Sequence, residues 1–149
     1  MYRKGVSALI SNKKEEFLLV NLESFEEKYF AVPGGGLEED ETLEDAVYRE
    51  VHEELGLDKD VLEYVGESIH PLRFTFKVIK MNRDGKDYVG SERHFFGFRF
   101  IGEDNQIKLQ KGEVRAFRWV PFAELDKYLL FDNQLQDTID KITEIFLKE

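Results

Sequence analysis

The chain has 149 residues, 42% of them hydrophobic and 35% charged, which is the composition of an ordinary globular domain and not of a disordered chain. It has no cysteine, which excludes disulfides and thiolate metal sites and leaves carboxylates, backbone carbonyls, water and three histidines for any metal, a donor set suited to Mg2+ or Mn2+. A formal net charge of −10 argues against sequence-independent binding to duplex DNA, while clustered carboxylates holding cations would still attract polyphosphate at one place.

The length suits one domain over residues 1–149. The apolar run after Met1-Tyr2-Arg3-Lys4-Gly5 is too short for a signal peptide or membrane span, so a cytoplasmic protein with no membrane partner is expected. Gly5 to Ile10 reads as a strand, Ser11 to Lys14 as a turn and Phe17 to Asn21 as the partner strand. Tyr29 to Val32 reads as a short strand ended by Pro33-Gly34-Gly35-Gly36, a composition that belongs to a loop and not to a strand or helix. Thr42 to Leu55 reads as a helix, with Thr42 and Asp45 as a capping pair and Gly56 as the terminator. Leu62 to Ile69 and Leu72 to Ile79 read as strands, followed by a polar loop from about Asn82 to Ser91 that carries Tyr88, a place where specificity could live. Arg93 to Ile101 is a phenylalanine-dense strand whose Phe95, Phe96, Phe98 and Phe100 are assigned mostly to the core, as are Phe74 and Phe76, with base stacking by one of them as the alternative. Ala116 to Val120 is a further strand, and Pro121 to Asp126 a short helix. Asn133 to Leu147 is an amphipathic helix with Leu135, Ile139, Ile142 and Phe146 at helical spacing. Strands with two main helices predict an α/β fold, a mixed sheet between layers.

The helix around Arg49-Glu50-Val51-His52-Glu53-Glu54-Leu55-Gly56 carries the chemistry. Residues three and four apart share a helix face, so Glu50, Glu53 and Glu54 project together. On the helical wheel Leu43, Val47, Val51 and Leu55 form the apolar stripe, Glu54 falls inside it and Glu50 lies at its edge. A carboxylate facing the core must be paired, hydrogen-bonded or bound to a cation, and three neighbouring carboxylates also repel one another. One or two divalent cations would resolve both problems. A solvated acidic face is the ordinary alternative, and the position of Glu54 speaks against it. His52 falls on the opposite side as a solvated residue, and His70 and His94 have no helical metal-binding partner.

Gly35, Glu41 and Arg49-Glu50-Val51-His52-Glu53-Glu54-Leu55-Gly56-Leu57, at these spacings, match the complete signature of the Nudix hydrolases. The resemblance implies an α/β/α sandwich with a mixed sheet, and a metal-dependent enzyme that cuts a diphosphate linkage in a nucleotide-type substrate. It implies that Glu53 and Glu54 are metal ligands, that Glu50 is a ligand or the general base, and that a backbone carbonyl near Gly35 adds a ligand. It implies further that Arg49 pairs with Glu41 and ties loop to helix.

Tyr2-Arg3, Gly90-Ser91-Glu92-Arg93-His94-Phe95-Phe96 and Glu113, six residues before Trp119, resemble the branch of RNA 5′-pyrophosphohydrolases and dinucleoside polyphosphate hydrolases. That resemblance implies that Glu113 assists the metals and that Arg3 contacts phosphate, on a dinucleoside polyphosphate or a 5′-triphosphate RNA end. The chain departs from the branch at Pro33-Gly34-Gly35-Gly36, where Pro-Gln-Gly-Gly is usual, and at Asp132, where a basic residue is expected. Pro33-Gly34-Gly35-Gly36 is equally at home in nucleoside triphosphate pyrophosphohydrolases of the same family, and Asp132 counts against recognition of an RNA 5′-triphosphate. A non-catalytic nucleotide-binding module is the reading from another class, and retention of every signature glutamate argues against it. A monomer and a homodimer are equally compatible with the sequence.

Overall fold

The computed structural model describes residues 1–81 and 87–147. Among the described residues seven strands form one sheet: β1 (Tyr2–Ser11), β2 (Glu16–Leu22), β3 (Gly34–Gly36), β4 (Leu62–Glu67), β5 (Leu72–Met81), β6 (Asp87–Phe100) and β7 (Val114–Pro121). The order is β4-β6-β1-β2-β7, with β3 paired to β1 and β5 to β6. β1 and β6 run parallel and the other pairs antiparallel, so the sheet is mixed.

Successive side chains of a strand point to opposite faces, and β1 is apolar on both. Val6, Ala8 and Ile10 pack in one cluster with Val47, Val51 and Leu55 of helix α1 (Leu43–Leu55). Leu9 packs on the opposite face with Ile142 and Ile145 of helix α2 (Gln134–Phe146). The same division runs along β6, where Phe96, Phe98 and Phe100 join the α1 cluster and Phe95 the α2 cluster. The result is the expected α/β/α sandwich. No helix among the described residues is long and apolar enough to cross a membrane.

Helix α1 begins where the Thr42 hydroxyl accepts the Asp45 N–H at 3.1 Å. It ends where Gly56 takes φ 69° and donates its N–H to the His52 carbonyl, a left-handed conformation that a side chain disfavours.

The segment before α1 corrects two expectations. Tyr29 to Val32 is not a strand; within it Ala31 makes an isolated bridge with Val20. The glycines expected to form a loop are themselves strand β3, with Gly34, Gly35 and Gly36 opposite Ser7, Val6 and Gly5. β1 and β2 pair at Ser11 and Phe17, and further along residues 31–36 run between them. Ala31 and Val20 exchange hydrogen bonds of 2.8 and 2.9 Å, and Pro33 accepts from the Ala8 N–H at 2.8 Å. Pairing to strands already in place overrides the poor strand propensity of glycine.

The polar loop expected over 82–91 is also revised: residues 82–86 lie outside the described residues, and Asp87 to Ser91 open β6. β4 stops at Glu67, short of Ile69. Phe74 is not core but 47% exposed; the Phe76 side chain lies outside the described ones. α2 packs on β4 and β6, and β5 pairs with the early part of β6, which leaves Phe74 uncovered by the helix.

Candidate active site

Three pieces of chain converge at the end of the sheet where β1 and β2 separate. β3 supplies backbone, α1 supplies carboxylates, and the segment before β7 supplies Glu113. That last segment is held by the C-terminus of α1, whose otherwise unpaired carbonyls at Glu54 and Leu55 accept from the Gln110 and Lys108 N–H groups at 3.0 and 2.8 Å. Together they border a cleft of about 1170 Å³. Of the residues singled out from sequence, Arg3, Gly35, Arg49, Glu50, Glu53, Glu54 and Glu113 all line it. Glu41 does not; it joins the site through Arg49.

Arg49 is the knot between loop and helix. Its Nε and Nη2 donate to the two oxygens of Glu41 at 2.7 and 3.0 Å, and Nη2 also donates to the Gly36 carbonyl at 2.9 Å. Its Nη1 reaches Glu50 at 2.9 Å and Glu53 at 3.3 Å. These hydrogen bonds, first among them that to Glu41, raise the Arg49 pKa, and the same contact lowers that of Glu41.

Glu54 is 5% exposed, and among the described residues its one hydrogen bond is from the Gly34 N–H to Oε1, at 2.9 Å. Burial, followed by the charges of Glu50 and Glu113, raises its pKa to about 7 against the stabilising Gly34 N–H. Burial likewise raises the Glu50 pKa, with Arg49 opposing. Glu53 is nearly half exposed, at the mouth.

The glycines are there for room. A β-carbon on Gly34 would strike the Val6 carbonyl, one on Gly35 the Glu50 carboxylate, and one on Gly36 would lie 2.7 Å from Arg3 Nη2. Gly35→Ala is therefore expected to displace Glu50 and reduce kcat by about a hundredfold, the cost of an ångström-scale shift in a reacting group. Steady-state kinetics beside a melting curve checks this; wild-type kcat would refute it.

Sequence reasoning missed two cations. Lys4 lines the cleft next to Arg3. Arg93 on β6 donates Nη1 to the Val6 carbonyl at 2.7 Å and to the Gly35 carbonyl at 3.4 Å. Burial and the nearby Arg3 lower its pKa, while Glu50 and Glu54 favour its charge. In sequence Arg93 stands two residues before Phe95, but Arg99 lies on the same strand face with the same charge, so charge alone did not mark it.

Among the described residues no three carboxylates or imidazoles converge as a preformed cation cage; Arg49 stands between Glu50 and Glu53. The donor set nevertheless fits a hard divalent cation. Its side chains are all carboxylates, and the buried Glu54 charge is opposed by Glu50 and Glu113 and answered by the Gly34 N–H group and, to a smaller extent, by Arg93.

The NUDIX domain family matches residues 1–142. An RNA pyrophosphohydrolase of Psychromonas ingrahamii is 31% identical over 126 residues, covering 81% of this chain and 68% of that protein. The fold is similar to that of the E. coli dihydroneopterin triphosphate pyrophosphohydrolase, with TM-score 0.73, 16% identity and 99% of each chain covered. It is also similar to that of the C. elegans Ap4A hydrolase, with TM-score 0.68, 18% identity and 90% of each chain covered. With the signature helix lining the cleft and the family matched over nearly its whole length, the chain belongs to the Nudix hydrolases, metal-dependent enzymes that hydrolyse diphosphate linkages in nucleotide-type substrates.

Proposed function

We propose that the substrate is a dinucleoside polyphosphate or the 5′-triphosphate end of an RNA, with its diphosphate in the cleft. The observation that carries a phosphate reading is that Arg3 and Lys4 line the same cleft as Glu50, Glu53, Glu54 and Glu113. Glu53, Glu54, Glu50, Glu113 and the Gly35 carbonyl would hold Mg2+ or Mn2+. A divalent cation supplies charge neutralisation at the diphosphate and acidifies water. Glu50 is the candidate base: burial lifts its pKa towards neutrality, where a carboxylate accepts a proton more readily, and Arg49 fixes its orientation at 2.9 Å. Arg3 lies over Gly36 at the end of β1, where its guanidinium can take a phosphate in a two-pronged contact.

The similarity to an RNA pyrophosphohydrolase and, in fold, to an Ap4A hydrolase supports the favoured substrates. A nucleoside triphosphate is the second reading, favoured by Gly34 and by Asp132, which lines a cavity adjoining the cleft and brings negative charge where an RNA chain would need a cation. The enzyme is read as cytoplasmic.

Product analysis on dinucleoside polyphosphates, triphosphorylated RNA and nucleoside triphosphates, each with Mg2+ and with Mn2+, tests the assignment. Preferential turnover of either of the first two is the expected result, and preference for mononucleotides would transfer the assignment to the second reading. Arg3→Ala is expected to raise KM about tenfold with kcat nearly unchanged, the pattern of lost ground-state binding; an unaltered KM would remove Arg3 from the phosphate site.

A further inference from the structure

A second cavity, of about 690 Å³, opens beside the cleft and shares Leu22, Gly34 and Glu54 with it, so a group seated there is continuous with the diphosphate. Its floor is apolar and includes Val20 and Phe95. Two aromatic rings line it while exposed, Phe74 at 47% and Phe131 at 42%. Phe131 is held in place all the same: Tyr29 stacks on it at 4.4 Å and Phe25 meets it edge-on at 5.1 Å. Flat aromatic walls beside a phosphate site suit a planar heterocycle.

The polar groups are of two kinds. Arg93 and Arg73, from β6 and β5, supply hydrogen-bond donors. Arg93 spends Nη1 on the Val6 and Gly35 carbonyls, and its Nε and Nη2 have no acceptor among the described residues. Asp137, half-buried in the first turn of α2, supplies acceptors. A guanidinium complements the O6 and N7 acceptors of guanine, and a carboxylate complements the adjacent N1–H and N2–H2 donors. Adenine offers an amino group where guanine has O6, and no donor at positions 1 and 2.

We propose that this cavity seats the base of the substrate and selects a ring carrying a 2-amino-6-oxo edge, with Arg93 answering the oxo group and Asp137 the amino side. The edge occurs on guanine and, in its 2-amino-4-oxo form, on a pterin. The proposal rests on the phosphate reading of the cleft and narrows it.

The test compares kcat/KM for GTP, ITP and ATP with Mg2+, adds dihydroneopterin triphosphate as the pterin arm, and measures GMP against AMP by thermal shift of the metal-free protein. GTP and the pterin triphosphate are each expected to exceed ATP on the order of tenfold to a hundredfold, the discrimination of a good bidentate pair. ITP, lacking the 2-amino group, should fall between GTP and ATP. Asp137→Asn should erase the preference, raising KM for GTP until it matches that for ATP. Equal kcat/KM for GTP, ITP and ATP would overturn the proposal while the hydrolase assignment stands. If none is hydrolysed, a larger shift with GMP than with AMP supports it and equal shifts overturn it. The wild-type comparison of GTP with ITP needs no variant, so misfolding of Asp137→Asn leaves the question decidable.

Discussion

Glu54→Gln is expected to abolish turnover while making the metal-free protein more stable. Glu54 has an ordinary pKa of 4.5 and one of about 7 in the folded, metal-free chain. Between these values the native state keeps a proton that the unfolded chain has lost, so stability falls as pH rises through this window, and the full penalty applies above about pH 7. Its size is on the order of 3 kcal/mol at pH 8. Glutamine keeps the acceptor for the Gly34 N–H and removes the charge. Above pH 7 the metal-free variant should be more stable than wild type by about 1–3 kcal/mol, the new amide donors offsetting part of the gain. Below pH 4.5 the two should melt together. Mg2+ should raise the wild-type melting temperature more at pH 8 than at pH 6, since a ligand carboxylate must be ionised, and the variant should respond weakly. Activity should drop roughly a thousandfold, the loss of several kcal/mol of transition-state stabilisation. Melting curves from pH 4 to 8, with and without Mg2+, check the stability half; a destabilised variant at pH 8 would contradict it.

Arg49→Met is expected to cost both stability and rate. One guanidinium serves Glu41, Glu50, Glu53 and the Gly36 carbonyl, and its side chain is 21% exposed, against 12% for Glu41 and 14% for Glu50. Removing it leaves two largely buried carboxylates without their counter-charge and frees β3 from α1. Fully buried pairs cost about 3–5 kcal/mol when one partner is lost; partial exposure reduces the expectation to about 2–3 kcal/mol. That corresponds to a fall in melting temperature of roughly 5–10 °C for a chain of this size. kcat should fall about a hundredfold, because Glu50 loses its orientation. Arg49→Lys should recover little, since an ammonium cannot bridge Glu41 in two prongs while reaching Gly36 and Glu50. A methionine variant that melts and turns over like wild type would refute the role.

The helix and its carboxylates were legible because the information is local: helical geometry alone places Glu54 in the stripe of Leu43, Val47 and Val51, and the structure buries it there. The strand character of residues 5–10 and 93–101 was legible for the same reason. β3 was not. Gly34 to Gly36 have no preference for a strand, and their pairing exists because β1 offers a free edge where β2 departs from it. Arg93 was invisible as a site residue because a cation on a strand acquires meaning only from what lies over it, here the carbonyls of Val6 and Gly35. The second cavity was harder still, since it joins Val20, Phe74 and Asp137, which are far apart in the chain. Phe74, assigned to the core on composition, lines that cavity instead, because aromatic character does not distinguish a buried ring from a ligand-facing one.

The proposed reaction is water attack on a diphosphate, supported by cations held at Glu53 and Glu54. Its most direct test is turnover of a nucleotide substrate with Mg2+ in 18O-labelled water, for wild type, wild type with chelator, and Glu54→Gln. One 18O atom is expected in a phosphate product of the wild-type reaction, and almost no product in the other two. Label-free products, or turnover that survives both chelator and Glu54→Gln, would contradict it.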